Sequence, residues 1–155
     1  MLKTDNIFMS EAIKEAVKAF DAEEVPVGAV IVHKGRIIAR AHNQIRLLKD
    51  PTAHAEMIAL TQASAHLASE RLLDTTLYST VEPCAMCAGA MVLARIKRLV
   101  YGARDPKTGA SGSVMNVVNN RKLNHRISVT EGVLEEESSN LLKEFFALKR
   151  RKKGC

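Results

Sequence analysis

The spacing of apolar and polar positions divides the chain into segments of alternating helical and extended character. From Asp5 to Ala22 the apolar residues recur every three or four positions, which predicts an amphipathic helix. Two β-branched runs flank Lys34-Gly35, and they predict a β-hairpin with that pair at its turn. The motif "LKDPT" then interrupts the pattern, and helical spacing resumes from Ala53 to Leu67.

The second half of the chain continues this alternation but contains one long irregular stretch. The segments "TTLYST" and "RLVYGA" predict short strands, and Cys84 to Ile96 between them predicts a helix that is apolar on nearly every side. Residues 103–126 are polar and rich in glycine and asparagine, and stretches of this kind are usually functional or disordered. "ISVTEGV" predicts a last strand. Ser138 to Lys149 predicts a last helix, with a buried face made of Leu141, Leu142, Phe145, Phe146 and Leu148.

The predicted order of elements is α β β α β α β β α. Helices that follow most of the strands imply a sheet covered by helices, with mostly parallel strands beyond the opening hairpin. The predicted fold class is therefore α/β. The length of 155 residues and the apolar content of 46% suit one domain, 1–155, with one buried core, and no repeat or linker divides it.

The formal charge of +6 is concentrated at the C-terminal end. Positions 149–153 are all basic and dominate a basic tail at 149–155, while the rest of the chain carries about +1. Such a tail fits a polyanionic partner such as nucleic acid, or equally a solvated helix end that complements the helix dipole. Aromatic residues make up only 4% of the chain, which argues against a sheet on which several bases stack.

Neither a targeting leader nor a membrane-spanning segment is predicted. Residues 1–20 alternate charged and apolar positions, and no apolar run approaches the roughly 18 to 20 residues that cross a bilayer. Three cysteines are too few and too oddly spaced for a disulfide scaffold. We therefore expect a reducing, cytoplasmic compartment.

Positions 82–87 read "EPCAMC", and a cysteine pair at this spacing is by itself a weak signal. The pair is compatible with a thioredoxin-like dithiol, with two zinc ligands or with two small buried residues. The motif "HAE", His54 to Glu56, changes this picture. His54, Cys84 and Cys87 are the three protein ligands that a catalytic zinc ion takes, with a water in the fourth position. A redox dithiol would leave His54 and Glu56 without explanation.

The spacing also indicates how such a metal ion would be held. Cys84 and Cys87 are three positions apart, so both sulfurs lie on the first turn of one helix, where the N–H groups and the dipole favour thiolate. His54, at the start of another helix, can approach the same point. Glu56 is close enough to hold the water and carry protons without occupying the metal. Taken singly, His54 would be a structural or capping histidine and Glu56 a first-turn acid. The four residues would rarely occur in this order and spacing by chance.

The order H-x-E followed by P-C-x-x-C resembles the zinc-dependent deaminase superfamily, and within it the bacterial tRNA-specific adenosine deaminases. The similarity extends over nearly the whole chain, with no departure at the catalytic positions. It is carried by "EVPVGAVIV", "DPTAHAEMIAL", "TTLYSTVEPCAMCAGAMVLARI" and "VYGARDPKTGASGS".

This resemblance implies a three-layer α/β/α sandwich with a central mixed five-stranded sheet, and a homodimer. It implies one Zn²⁺ per subunit on His54, Cys84 and Cys87, with Glu56 as the proton shuttle and no organic cofactor. The reaction would be hydrolytic deamination of adenosine to inosine at the wobble position of tRNA, within the anticodon stem-loop.

Five further residues match family positions near the substrate. They are Asn43, Asp105, Lys107, Asn124 and Phe146. The resemblance implies that Asn43 hydrogen-bonds the flipped base and that the segment with Asp105 and Lys107 lies beside the bound anticodon loop. Asn124 and Phe146 are similar to family positions near the substrate. Taken alone, Asn43 and Asp105 would be turn residues and Phe146 a core residue.

The motifs leave rival functions open. A deaminase of a free base or nucleoside, such as guanine or cytosine deaminase, would use the same zinc chemistry, and only the flanking pattern and the basic tail favour tRNA. A non-catalytic subunit that kept zinc for structure would have no need of Glu56. A pure RNA-binding module is disfavoured by the scarcity of aromatic residues.

Overall fold

A computed structural model describes residues 2–154, so Met1 and Cys155, the ends of the predicted domain and basic tail, lie outside the described residues. The elements in chain order are α1 (Leu2–Asp21), β1 (Gly28–His33), β2 (Arg36–His42), α2 (Ile45–Leu48), α3 (Ala55–Leu67), β3 (Thr75–Val81), α4 (Ala85–Leu93), β4 (Arg98–Ala103), β5 (Ser128–Glu131) and α5 (Glu135–Lys153). The predicted order is confirmed, with α2 as one additional turn of helix. None of the helices within residues 2–154 has the length and apolar character needed to cross a membrane.

The strands form one mixed sheet in the order β2-β1-β3-β4-β5. β1 is antiparallel to both of its neighbours, whereas β3, β4 and β5 are parallel to one another. The hairpin between β1 and β2 turns at Lys34 and Gly35, whose φ angles of 51° and 77° are those that tight hairpin turns require. The predicted mixed five-stranded sheet is thus confirmed, and its parallel part is confined to the last three strands.

The sheet lies between two layers of helices, which confirms the predicted three-layer arrangement. Because side chains alternate along a strand, neighbouring residues of β1 enter different cores. Val30 packs with Met9 of α1, whereas Ile31 packs with residues of α3 and α4. α5 lies on the side of α1, and the rings of Phe20 and Phe145 are 5.8 Å apart between their centroids.

The irregular segment predicted after β4 is present, and it joins two parallel strands. Residues 104–127 form no helix and are held against the core by apolar side chains of their own, which include Ala110, Val118 and Ile127. The segment leaves the sheet at the end of β4, the edge at which β3 also ends. This edge is the one that carries "EPCAMC".

The last helix departs from its prediction in both length and burial. α5 extends to Lys153, so residues 149–153 of the basic tail continue the helix. Phe145 is buried, but Phe146 is 41% exposed and Leu148 is also exposed, so their predicted place in the buried face is wrong. Successive helical residues point about 100° apart, and only the stripe that contains Phe145 faces α1.

A partly buried ion pair connects α1 to the opposite edge of the sheet, where β4 begins. Asp5 accepts hydrogen bonds from both terminal nitrogens of Arg98, at 2.8 and 2.7 Å, and from the hydroxyl of Tyr78 at 2.8 Å. The hydrogen bonds from Arg98 hold the pKa of Asp5 below its usual value, although burial opposes them. This contact therefore stabilises the fold away from the "HAE" and "PCAMC" motifs.

Candidate active site

The two helix starts that carry "HAE" and "PCAMC" meet in the structure. His54 is the N-cap residue of α3, Cys84 is that of α4, and Cys87 follows in the first turn of α4. The Nδ1 atom of His54 lies 3.6 Å from the Sγ atom of Cys84 and 3.4 Å from that of Cys87. The three ligand atoms lie within 4.8 Å of one another, and in residues 2–154 no other group of this kind is found. This group can hold a metal ion.

The electrostatics of these side chains favour a thiolate at Cys84. Hydrogen bonds from Cys87 and His54 lower the pKa of Cys84 to about 3. The same contact with Cys84, together with burial, raises the pKa of Cys87, and the hydrogen bond with Cys84 also raises the pKa of His54. The two thiols share one proton when they ionise by themselves, whereas metal binding deprotonates both.

Glu56 lies in the first turn of α3, and its side chain is only 4% exposed. Burial raises the pKa of its carboxyl group to about 7. Its Oε1 atom has no hydrogen-bond partner among the described residues. A buried polar atom without a partner is unfavourable, so Oε1 marks a point where a polar group from outside the chain fits.

Asn43 directly follows β2 and is buried beside the start of α3. Its Oδ1 atom accepts a hydrogen bond from the N–H of Ala55 at 2.8 Å, and its Nδ2 atom donates to the carbonyl of Val25 at 3.1 Å. The amide therefore fixes the backbone that carries His54 and Glu56. One N–H and one acceptor lone pair of the amide are left over, since an amide has two of each.

Asp105 and Lys107 stand in a tight turn just after β4. The Oδ1 atom of Asp105 accepts from the N–H groups of Lys107 and Thr108 at 3.0 and 3.1 Å, and Oδ2 accepts from the hydroxyl of Thr108 at 2.6 Å. Burial acts to raise the pKa of Asp105, but these hydrogen bonds lower it overall. Asp105 is thus a turn residue, and its carboxylate is engaged within the turn.

Lys107 and Phe146 line the same cavity although they are far apart in the sequence. The cavity has a volume of about 380 Å³, and Leu142, Lys143 and Arg150 complete its lining. These five residues are referred to below as the basic groove. Three cations around an exposed aromatic ring can attract an anionic, ring-containing ligand.

Asn124 is not brought into either of these groups. It is an exposed residue of the irregular segment 104–127, outside the metal-ligand group and outside the basic groove. Its neighbour His125 is fixed, because its Nε2 atom donates to the carbonyl of Ile96 at 2.7 Å.

Glu82 has contacts that its place in "EPCAMC" did not lead us to expect. Its side chain is 3% exposed and accepts hydrogen bonds from Asp105, Ser111 and Ser113. The sequence contained one indication of these contacts, because Glu82 stands between a predicted buried strand and a predicted buried helix. A carboxylate in such a place is buried and needs several hydrogen-bond donors. Lys143 was also missed as a member of a site, because no motif marks it, whereas Arg150 was predicted as part of the basic tail.

Known proteins are similar to this chain in both sequence and fold. Residues 3–150 match the MafB19-like deaminase family. The chain is 50% identical over 149 residues to the tRNA-specific adenosine deaminase of Bacillus subtilis (strain 168), covering 96% of this chain and 92% of that protein. A solved tRNA:A34 deaminase, studied for A-to-I editing at the wobble position, superposes with a TM-score of 0.85 and 46% identity, covering 88% of this chain and 99% of that one. The guanine deaminase of Nitrosomonas europaea has a TM-score of 0.81 at 26% identity, covering 92% of this chain and 84% of that one.

The fold and the His-Cys-Cys-Glu arrangement are those of a deaminase, which is a hydrolase acting on an amino group attached to a ring carbon. The identity over nearly full length narrows this class. The chain belongs to the tRNA-specific adenosine deaminase family.

Proposed function

We propose that this enzyme converts adenosine to inosine at the wobble position of tRNA by zinc-assisted hydrolysis. The observation that carries the proposal is the buried Glu56, with its unpartnered Oε1 atom, beside the group of His54, Cys84 and Cys87. The choice of tRNA follows the relatives, which are a tRNA-specific adenosine deaminase and a tRNA:A34 deaminase.

The donor set and its spacing fit zinc. In a tetrahedral site with Zn–S of about 2.3 Å and Zn–N of about 2.0 Å, a nitrogen and a sulfur ligand lie roughly 3.5 Å apart. The two distances from His54 Nδ1, 3.6 Å to Cys84 Sγ and 3.4 Å to Cys87 Sγ, agree with this value. Two thiolates balance the charge of the ion, and three protein ligands leave the fourth position open, as catalytic sites do. When bound, the ion would lower the pKa of a water in that position toward about 7.

Glu56 is the residue that carries protons in this scheme. Its carboxylate accepts a proton from the attacking water, which adds to C6 of adenine. It then delivers a proton to ring N1 and assists the amino group to leave, so that the products are inosine and ammonia. Its burial supports this role, because bulk water is kept away from the transferred protons.

Asn43 is proposed to hold the base. After its bonds to Ala55 and Val25, its amide retains one N–H and one lone pair, next to the backbone that carries His54. A donor and an acceptor on one side chain suit the edge of a purine that has been flipped out of the stack.

The basic groove is proposed to hold the RNA on either side of the reacting nucleotide. Lys107, Lys143 and Arg150 supply positive charge for phosphates, and the exposed ring of Phe146 supplies a face on which a base can stack. Asp105 contributes indirectly, because its turn sets the position of Lys107.

Contacts within the chain support a role in RNA binding for only one part of the basic tail. Lys152 pairs with Glu23 at 2.9 Å, and the ammonium group of Lys149 lies 5.4 Å from the centroid of the Phe145 ring. Arg150 is the member of the tail that lines the basic groove. We therefore propose that RNA contacts the tail chiefly through the face of α5 that presents Arg150.

Deamination of a free base is the second candidate, because the chain shares its fold with a guanine deaminase. The metal ligands and Glu56 would serve either substrate. The basic groove favours RNA, since a free base has no phosphates for three cations to bind.

A substrate panel tests the proposal. Purified enzyme is incubated with an anticodon stem-loop that has adenosine at the wobble position, and separately with free guanine, cytosine and adenosine. We expect inosine and equimolar ammonia from the stem-loop only. A stem-loop with guanosine at the same position is the matched control and should release no ammonia. Turnover of guanine with an unchanged adenosine stem-loop would overturn the proposal.

We further propose that the chain forms a homodimer through α3 and α4. An open cavity of about 450 Å³ between these helices has mainly apolar lining, including Met57, Leu60, Ala90 and Leu93, and Leu93 is 81% exposed. An exposed apolar surface of this kind marks an association site, and a second copy would cover it through two-fold symmetry.

A reducing cytoplasm suits both the tRNA substrate and the thiolate ligands.

A further inference from the structure

We propose that Glu82 is a positioning residue for the deamination reaction. It clamps residues 105–113, referred to below as the clamped segment, onto the start of α4. The clamped segment thereby holds Lys107 of the basic groove at a fixed place relative to the metal ligands. This inference rests on the proposed function, and it assigns to Glu82 a role in binding RNA rather than in holding the metal.

The hydrogen bonds of Glu82 all point to the clamped segment. Its Oε1 atom accepts from the N–H of Asp105 at 3.1 Å and from the hydroxyl of Ser113. Its Oε2 atom accepts from the N–H of Ser111 at 3.0 Å and from the N–H of Ser113 at 3.1 Å. All four partners are donors, which matches the acceptor-only character of a carboxylate.

The clamped segment approaches Glu82 so closely that only glycine fits at position 109. A Cβ atom on Gly109 would overlap the carboxyl group of Glu82 and would lie 2.5 Å from the carbonyl oxygen of Asp105. The segment is therefore packed against the Glu82 side chain at Gly109, between the hydrogen bonds from Asp105 and Ser111. Any larger residue at position 109 would push the segment away.

Two backbone contacts connect the clamp to the metal-ligand group. Gly109 forms an antiparallel bridge with Cys84, and the N–H of Ala110 donates to the carbonyl of Pro83 at 2.9 Å. A displaced segment would therefore leave the start of α4, where Cys84 stands. The sequence of contacts runs from Cys84 through Glu82 to the turn at Asp105 and on to Lys107.

The test replaces Glu82 by glutamine, which keeps the size of the side chain. In Glu82→Gln the amide nitrogen replaces one of the two oxygens, and each oxygen accepts from at least one backbone N–H, which can only donate, so the segment should be released. Zinc content should stay at one per chain, and kcat at saturating stem-loop should change by less than about threefold. KM for the stem-loop should rise by roughly tenfold or more, the scale expected when a charged acceptor is lost. Amide hydrogen exchange should quicken in residues 105–113 and stay unchanged in α4.

Gly109→Ala should reproduce these effects, because it opens the same contact from the other side. Because Glu82→Gln and Gly109→Ala disrupt the same contact, the KM of the double variant should be no higher than that of the more affected single variant. Asp5→Asn is the control for general destabilisation, because Asp5 is as buried as Glu82 but binds Arg98 at the opposite edge of the sheet. It should lower the melting temperature without raising KM.

Three results would overturn the role assigned to Glu82. One is loss of zinc in Glu82→Gln, which would make the residue a support for Cys84. The second is a lower melting temperature with unchanged KM and exchange, which would make it a purely structural residue. The third result concerns Ser113→Ala, which removes a single hydrogen-bond donor to the carboxylate and serves if Glu82→Gln does not fold. An unchanged KM and an unchanged amide exchange in Ser113→Ala would overturn the role of Glu82. Failure of the proposed function is separate, because it would appear as an inactive wild-type enzyme.

Discussion

Removal of positive charge from the basic groove should weaken RNA binding and reduce its dependence on salt. The perturbation is the triple variant Lys107→Gln, Lys143→Gln and Arg150→Gln, which leaves Phe146 and the metal ligands in place. These three side chains are exposed, so the fold should be unaffected. The rate of the chemical step at saturating RNA should also be preserved.

The size of the effect follows from the number of cations. Each phosphate contact to a single strand contributes about 0.7 to the slope of log K against log salt. Three contacts therefore contribute about 2. Between 50 and 200 mM salt, the affinity of the wild-type enzyme should fall about twentyfold more than that of the variant.

The matched control removes three charges from the other edge of the sheet. His33 pairs with Thr75, so the hairpin tip with Lys34 and Arg36 lies at the edge where β3 begins, and Lys97 precedes β4 at the same edge. The control variant is Lys34→Gln, Arg36→Gln and Lys97→Gln, with an equal change in net charge. Binding of the stem-loop is measured by fluorescence anisotropy at four salt concentrations. Equal slopes for the two triple variants would refute the reasoning, because the charge effect would then be general.

Cys87→Ser should lose most of its zinc by elemental analysis, because one of three protein ligands is removed, and full retention would contradict the ligand assignment. Asp5→Asn should destabilise the fold by about 1.5 to 3 kcal/mol in urea at pH 7, because the partly buried charge of Arg98 loses its charged partner. The pKa of Asp5 is lowered in the folded state. The wild type should therefore be more stable than Asp5→Asn above pH 3.8, the ordinary pKa of the carboxyl group, and should lose this difference as the pH falls below that value. Equal unfolding curves for the two proteins at pH 7 would contradict this prediction. Leu93→Glu should sediment as a monomer, because it places a charge in the α3–α4 cavity. Leu73→Glu changes an exposed leucine outside that cavity and should remain a dimer. A monomeric wild type would contradict the proposed interface.

The order of elements could be predicted because it depends on local signals. The apolar spacing of α1 and the Lys34-Gly35 turn are each contained within a few neighbouring residues. The approach of His54 to Cys84 could also be anticipated, because each begins a helix and helix starts present their side chains at one edge of the sheet. The resemblance to deaminases added the number of strands and the three layers, which periodicity alone does not supply.

Contacts between distant segments could not be predicted in the same way. The partners of Glu82 are 23 to 31 residues away, in a stretch without periodicity. Phe145 and Phe146 are adjacent in sequence, and only the packing of α5 against α1 decides that Phe145 is buried. Lys143 and Arg150 join Lys107 because the segment after β4 folds back toward α5. Each of these facts depends on tertiary structure rather than on a motif.

The most direct test of the account is the single-turnover rate of inosine formation in Glu56→Gln. The variant keeps the size of the side chain but cannot accept the proton of the attacking water. With one zinc per chain and unchanged affinity for the adenosine stem-loop, its rate should fall by about 10² to 10⁴ or more relative to the wild type. A wild-type rate in the zinc-loaded variant would contradict the account, and so would a loss of zinc in proportion to activity.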